Sequence, residues 1–319
     1  MIKILANDGI SQAGIDALTV NGFEVTTDKV LQEELISKIN SEKYEVLLVR
    51  SATTVRKDLI DACPHLKIVG RGGVGMDNID VDYAREKGIN VINTPAASSA
   101  SVAELVFAHL FGMVRFLFDS NRQMPLTGDS EFKSLKKSYA KGKELAGKTL
   151  GIIGFGRIGQ EVAKIAIGLG MNVVAHDKFI EETNITLRFF NGEKKSFTIE
   201  TESLENVLRK SDFITLHVPK IGDKAVIGAE EIGMMKTGAG IINAARGGVI
   251  DETALMFALD KKKLAYAGLD VFENEPTPSI HLCMHNAVSL TPHIGAATLE
   301  AQDRIGTELA EQIATHFGK

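Results

Sequence analysis

Cysteine is scarce: Cys63 and Cys283 are the only two in 319 residues, and neither lies in a metal-ligand or redox spacing. A disulfide framework and a cysteine-based metal site are thereby excluded, and free thiols in a reducing compartment are expected. A surplus of either charge is also lacking. With 36 basic against 41 acidic side chains the formal net charge is -5 and the pI about 6.0, which argues against nucleic acid or an anionic membrane as the partner. Any anionic ligand must then be held by a local cluster of cations. Long apolar runs are missing as well, and MIKILANDGI opens as a strand rather than as a leader, so the expectation is a cytoplasmic protein with no membrane span. Fixed-period repeats and low-complexity tracts are absent.

What the chain does have is alternation. Short apolar, β-branched runs alternate with amphipathic segments from end to end, the pattern of βαβ units and parallel sheets, and the length suits about two domains. The first series places strands at 2–6, 23–26, 45–49, 67–70 and 90–93, with Ser11 and Asp80 as N-caps and Gly22 and Gly88 at helix ends. Pro95 breaks it, and 98–118 reads as one long helix, followed by a lysine-rich stretch from Lys133 to Lys148. The second series starts at Lys148 and places strands at 213–218, 240–244, 264–271 and 287–290. Between Asp177 and Ser203, two partly alternating runs flank Asn191-Gly192, a strong hairpin signal.

GFGRIG, residues 154–159, follows the strand TLGII, opens an amphipathic helix, and precedes a second strand that ends at Asp177. Each part has a task in holding a dinucleotide. Gly154 permits a tight turn, Gly156 lets backbone approach a pyrophosphate, and Gly159 allows the helix to pack closely on the strand. The helix N-terminus offers free N–H groups and a positive dipole end. Asp177 accepts from ribose hydroxyls and repels a 2′-phosphate, so the expected cofactor is NAD.

Downstream stand INAARGGVIDE (242–252), GLDVFENEP (268–276) and TPHIGA (291–296). Singly, Arg246, Glu275 and His293 could be a surface arginine, a loop acid and a packing histidine. In this order, after GFGRIG, the motifs resemble the D-2-hydroxyacid dehydrogenase family over nearly the whole chain. That resemblance implies an α/β fold of two domains: a Rossmann-type NAD-binding domain, 98–290, inserted in a discontinuous flavodoxin-like substrate domain, 1–97 and 291–319. Arg246, Glu275 and His293 are then catalytic. Removing a hydride from a hydroxy acid requires that the hydroxyl proton leave too, and imidazole is a base suited to neutral pH. Glu275 would orient His293 and favour its imidazolium, while the planar fork of Arg246 suits a substrate carboxylate. The resemblance further implies cofactor contacts at Arg157, Ile158, Val218, Ala244, Ala245, Asp270 and Gly295, with Val74 of the facing domain on the nicotinamide side. It also implies closure of the two domains, and a homodimer formed through the helix from Val102 to Phe118.

Within the family, VRSATTV (49–55), GRGGVGMDNID (70–80) and NTPAASSASVAEL (93–105) resemble the 3-phosphoglycerate dehydrogenase branch. Arg50, Ser51 and Arg71, with backbone N–H groups at Gly72 and Gly73, would bind a phosphorylated 2-hydroxy acid. Ser98 stands where relatives place an asparagine, and lysines, Lys137 nearest, where they place an arginine. The stretch from Ile185 to Ile199 is longer than usual by roughly nine residues, as a surface loop tolerates. Lys319 directly follows a helix, so no regulatory domain and no serine feedback are expected. Glyoxylate or hydroxypyruvate reductases and D-lactate dehydrogenases are the rivals within the family. A non-enzymatic NADH-binding scaffold is the rival outside it.

Overall fold

Runs such as VLLV and IVGR carry apolar side chains on both faces, which suits strands covered on both sides. The computed structural model covers residues 1–319, and in it these runs form a five-stranded parallel sheet. Its strands are β1 (Ile2–Ala6), β2 (Phe23–Thr26), β3 (Val46–Val49), β4 (Ile68–Arg71) and β5 (Asn90–Asn93), in the order β2-β1-β3-β4-β5. That is the flavodoxin-like doubly wound order. Connecting helices are α1 (Gln12–Val20), α2 (Leu35–Glu42), α3 (Lys57–Ala62) and α4 (Val81–Glu86). One face is packed by Leu35, Leu59 and Ile79. The other is packed by Ile305, Leu309 and Ile313 of the C-terminal helix Leu299–His316, so the last residues join the first hundred in one unit, Met1–Ser101 with Ala296–Lys319.

Ser11 caps α1, its Oγ accepting from the Gly14 N–H at 3.3 Å. Asp80 stands at the N-cap of α4 but makes no capping bond. Its carboxylate goes to the Arg56 guanidinium at 2.9 Å and to the Lys57 N–H at 3.1 Å, because a charged donor outcompetes a neutral helix amide.

The second unit, Val102–Gly295, holds a six-stranded sheet. It is built from β6 (Thr149–Ile153), β7 (Asn172–His176), β10 (Phe213–Leu216), β11 (Ala239–Asn243), β12 (Leu264–Leu269) and β13 (Val288–Leu290), in the order β13-β12-β11-β10-β6-β7. All pairs are parallel. From β6 the chain first moves to β7 on one side and then crosses to β10 on the other, which creates the switch point where open α/β sheets bind ligands. Helices α8 (Arg157–Gly168), α9 (Leu204–Lys210), α10 (Ala229–Met234), α11 (Glu252–Asp260) and α12 (Ile280–Met284) connect the strands.

One segment departs from its expected element. The helix expected over 98–118 divides into α5 (Ser99–Val114) and α6 (Leu117–Thr127), with α7 (Phe132–Ser138) after them. Phe116 adopts a left-handed φ of 55°, and its ring lies 5.9 Å from that of Tyr139 and 6.5 Å from that of Tyr266. Aromatic packing has overridden local helix propensity there. Around Asn191-Gly192 the antiparallel pair β8 (Glu182–Arg188) and β9 (Lys194–Glu200) forms as expected. Its turn is wider than two residues: the Gly192 N–H donates to Phe189 O, and Gly192 takes a φ of 87°, as in a type I turn followed by a bulge. No single helix in the chain is long and apolar enough to cross a membrane.

Candidate active site

The nucleotide turn is shaped by what glycine omits. Gly154 has a φ of 93°, and a Cβ there would lie 2.5 Å from His217 O, so the chain leaving β10 passes too close for any side chain. Phe155 plugs fully into the core, a burial of about 1.5–3 kcal/mol that anchors the turn. Gly156 is the N-cap of α8 and faces open space, as a backbone that must meet a pyrophosphate requires. Gly159 lies on the buried face of α8, where a Cβ would come 2.2 Å from Gly154 O. Arg157 and Ile158 form the first turn of α8, Ile158 leaning on the core.

Asp177 follows β7 and braces both sides of the turn. One carboxylate oxygen accepts from the Phe155 N–H at 2.7 Å, the other from the N–H groups of Phe179 and Ile180 at 2.8 and 3.2 Å. Those bonds fix its direction. A cavity of about 460 Å³ opens beside it, lined among others by Gly154, Gly156, Asp177, Phe179, His217 and Val218. The His217 Nδ1 is buried without a partner, while Nε2 lies 3.0 Å from Thr215 Oγ1. Desolvation pushes this imidazole down to about 3, so it stays neutral. The open space before Gly156 and the braced acid beside the cavity fit a dinucleotide.

Arg246 follows β11. The Asn243 side chain ties this loop down, its Oδ1 accepting from the Ala245 N–H at 3.0 Å and its Nδ2 donating to Arg246 O at 2.8 Å. Ala244 is buried beside it. The Arg246 guanidinium donates to Ala245 O at 2.6 Å. A Cβ at Gly247 would sit 1.8 Å from Phe272 O, so the arginine loop lies directly on the loop that carries Glu275. That second loop is fastened by a reciprocal pair. The Glu252 N–H donates to the Glu273 carboxylate at 3.0 Å, and the Glu273 N–H to the Glu252 carboxylate at 2.8 Å. Burial, with Glu273 and Glu275 nearby, raises the Glu252 carboxyl above its ordinary range.

Glu275 uses both oxygens. Oε1 accepts from the Phe272 N–H at 3.0 Å, and Oε2 meets His293 Nδ1 at 2.8 Å. With Nδ1 engaged, Nε2 is the nitrogen available for proton exchange. His293 itself has a left-handed φ of 53°, a conformation a histidine holds only when its surroundings enforce it. The enforcing group is Asp270, a residue only 1% exposed. Its Oδ1 accepts from Thr291 Oγ1 at 2.6 Å and from the Ile294 N–H at 2.8 Å, and its Oδ2 from the Gly295 N–H at 2.8 Å. These bonds hold residues 291–295 within the second unit. Arg246, Glu275 and His293 therefore converge there on three loops, each following a parallel strand.

The remaining residues singled out from sequence lie on the first unit or on α7. Arg71 ends β4 and pairs across the sheet with Val49, so Arg50 leaves the neighbouring strand end. Ser51 is exposed, Gly72 and Gly73 are buried, and Val74 is 38% exposed with its carbonyl accepting from Asn93 Nδ2 at 2.7 Å. Ser98 is 1% exposed, and Lys137 is exposed on α7. Sequence reasoning missed Thr291, Glu252, Glu273 and Asn243. All four sit inside the quoted motifs, so their positions beside the acid, base and arginine were the signal that could have found them.

The NAD binding domain of the D-isomer specific 2-hydroxyacid dehydrogenases matches residues 107–295. The chain belongs to that family. Its second unit is accordingly the NAD-binding one, and the family's enzymes are NAD-dependent D-2-hydroxyacid dehydrogenases. A hydroxypyruvate reductase of Thermotoga maritima is 45% identical, over 99% of this chain and 98% of its own. A D-3-phosphoglycerate dehydrogenase of Methanocaldococcus jannaschii is 42% identical over 98% of this chain, which spans only 57% of that relative's length. Among solved structures, the TT0316 protein of Thermus thermophilus superposes with a TM-score of 0.86 at 30% identity, covering 100% of this chain and 98% of its own. An NAD⁺-bound 3-phosphoglycerate dehydrogenase of Entamoeba histolytica gives 0.77 at 28%, covering 100% and 96%.

Proposed function

We propose that this enzyme oxidises 3-phospho-D-glycerate to 3-phosphooxypyruvate, the first step of serine synthesis, with His293 as acid and base. The 2.8 Å bond between His293 Nδ1 and Glu275 Oε2 is the observation that carries the chemistry. In the oxidative direction His293 Nε2 takes the hydroxyl proton as the C2 hydride leaves. In the reductive direction the imidazolium returns it. Glu275 holds the ring in the tautomer that presents Nε2 and stabilises the positive charge it acquires. Arg246 pairs with the substrate carboxylate and favours charge developing on the carbonyl oxygen. Bound NAD supplies the hydride acceptor, and Gly154, Gly156, Gly159, Asp177 and the first turn of α8 hold it, with Val218, Ala244, Ala245, Asp270 and Gly295 around it. Val74, on the nicotinamide side, and Lys137, on the substrate, belong to the same reading.

The phosphate assignment rests on Arg50 and Arg71, two guanidinium-bearing positions at the carboxyl ends of neighbouring strands, whose planar forks suit a phosphate. Ser51, Gly72, Gly73 and Ser98 complete that substrate side. Hydroxypyruvate reduction is the second reading, favoured because the hydroxypyruvate reductase relative matches this chain over nearly its full length. Assembly as a homodimer is supported by the exposed apolar side chains Phe111, Leu117 and Leu126 on α5 and α6. A cytoplasmic location is supported by the two free thiols.

The deciding experiment compares kcat/KM for NADH-dependent reduction of 3-phosphooxypyruvate, hydroxypyruvate, glyoxylate and pyruvate. A preference of about 100-fold for the phosphorylated acid, ~2.7 kcal/mol of transition-state binding, is expected. Equal use of hydroxypyruvate gives the substrate to the second reading. In the same assay His293→Ala is expected to lower kcat by ~10²–10⁴. A loss under tenfold removes the acid/base role.

A further inference from the structure

One buried titratable group in the second unit has no part in the chemistry above. His109, in the middle of α5, is 3% exposed. Its Nδ1 lies 2.8 Å from Ser289 Oγ and its Nε2 3.0 Å from Thr291 Oγ1. The directions of these bonds follow from the carboxylate at the end of the chain. The Thr291 hydroxyl donates to Asp270 Oδ1 across 2.6 Å. A hydroxyl has one proton. Thr291 Oγ1 therefore receives its own bond from His109 Nε2–H, which leaves Nδ1 as acceptor for the Ser289 hydroxyl. Ser289, His109, Thr291 and Asp270 thus form one ordered run of hydrogen bonds, and it ends on the carboxylate that grips the N–H groups of Ile294 and Gly295.

Space has been left for this ring. A Cβ on Gly268, the glycine that opens GLDVFENEP, would lie 2.9 Å from His109 Cβ and 3.2 Å from its Cγ. Desolvation holds the imidazole below its ordinary 6.5, although Asp270 pulls the other way, in keeping with a neutral ring of fixed tautomer.

We propose that His109 is a positioning residue: by donating from Nε2 to Thr291 Oγ1 it fixes the Thr291 hydroxyl on Asp270, and so fixes the strained loop that presents His293. The inference rests on His293 being the acid and base. His109 never meets the substrate. Its contribution is to narrow the positions His293 can take, and displacements of about 1 Å in a proton-transfer group are worth up to ~10²-fold in rate.

The test is a double-mutant cycle in the reductase assay, run with whichever 2-oxo acid is turned over fastest. His109→Leu keeps the volume and removes the donor. It is expected to lower kcat about tenfold. His109→Gln retains an N–H in the Nε2 position and is expected to recover kcat to within about threefold of the parent. Thr291→Val breaks the same run of bonds, so adding His109→Leu to it should cost less than about twofold more. Full multiplication of the two single losses, an unaffected kcat in His109→Leu, or equal losses in His109→Leu and His109→Gln would each overturn the proposal. His293→Ala measured alongside separates the two levels. If it is inactive and the cycle fails, only the role of His109 falls. If it retains turnover, the acid/base reading falls.

Discussion

Two loops of this protein are held by the same device in different sheets. In the first unit Asp8 Oδ2 accepts from the N–H groups of Arg50 and Thr53 at 2.7 and 3.0 Å, and Oδ1 accepts from Thr53 Oγ1 at 2.8 Å. In the second unit Asp270 takes two backbone N–H groups and the hydroxyl of Thr291. In both, the threonine hydroxyl donates a hydrogen bond to the aspartate and its oxygen accepts one from a third side chain: Asn7 Nδ2 at 2.8 Å in one case, His109 in the other. The difference lies in what each loop carries. Asp8 fixes the loop of Arg50, which on the proposed reading is a charge that needs only to be near its ligand. Asp270 fixes the loop of His293, which on the same reading is a group that must be aimed. A clamp on a binding charge acts on affinity, whereas a clamp on a proton-transfer group acts on rate.

The sharpest way to break this comparison is to weaken both clamps and read different parameters. Asp270→Asn loses a lone-pair set that three donors share. It is expected to lower kcat by about 10²-fold, since a charged acceptor is worth ~1.5–3 kcal/mol and its loss frees a strained loop. Asp8→Asn is expected to raise KM for the 2-oxo acid about tenfold and to leave kcat within about threefold, the mark of lost ground-state binding. Steady-state kinetics with saturating NADH measures both. If the two variants alter the same parameter, the clamps serve one purpose and the distinction between them is wrong.

Much of the candidate site could be read from the chain because its chemistry is carried by short local patterns. The turn 154–159 declares itself by three glycines between a strand and a helix, and Arg246, Glu275 and His293 each follow a strand end, where doubly wound folds expose functional loops. The supporting bonds could not be read in that way. Asp8 reaches Thr53 across 45 residues, and His109 reaches Thr291 across 182, distances over which no periodicity or spacing carries information. His109 was hidden further, since an apolar helix of this kind conceals one polar residue among core positions. The same holds for the break at Phe116, which is set by Tyr139 and Tyr266 rather than by its neighbours in sequence. The hairpin of β8 and β9 was legible because Asn191-Gly192 is a local signal, although its turn is wider than the simplest two-residue form.

The smallest expected effect concerns pH, and it belongs to the second unit, where His109 and His217 lie. His217 and His109 are both held neutral by burial, His217 down to about 3 and His109 below its ordinary value. Unfolding returns each to 6.5, so the unfolded chain binds more protons once the pH falls below that value. Their stabilising contribution is therefore complete above about pH 6.5 and declines as the pH drops, at up to ~1.4 kcal/mol per pH unit for His217, until the folded group also protonates near 3. Two carboxylates modify this slope. Asp212, whose carboxyl is held below its ordinary range by the Thr149 N–H and Lys236 against the opposing effect of burial, loses its contribution as pH falls through the carboxylate range. Glu252, raised mainly by burial, has the opposite sign. Between pH 6.5 and 5 the histidines should dominate, and calorimetry is expected to show Tm falling by a few degrees per pH unit, about 2–4 °C for each kcal/mol lost. His217→Gln should flatten most of that slope while leaving Tm at pH 7.5 within a few degrees of the parent. A slope unchanged in the variant would place the proton uptake elsewhere and remove His217 as its source.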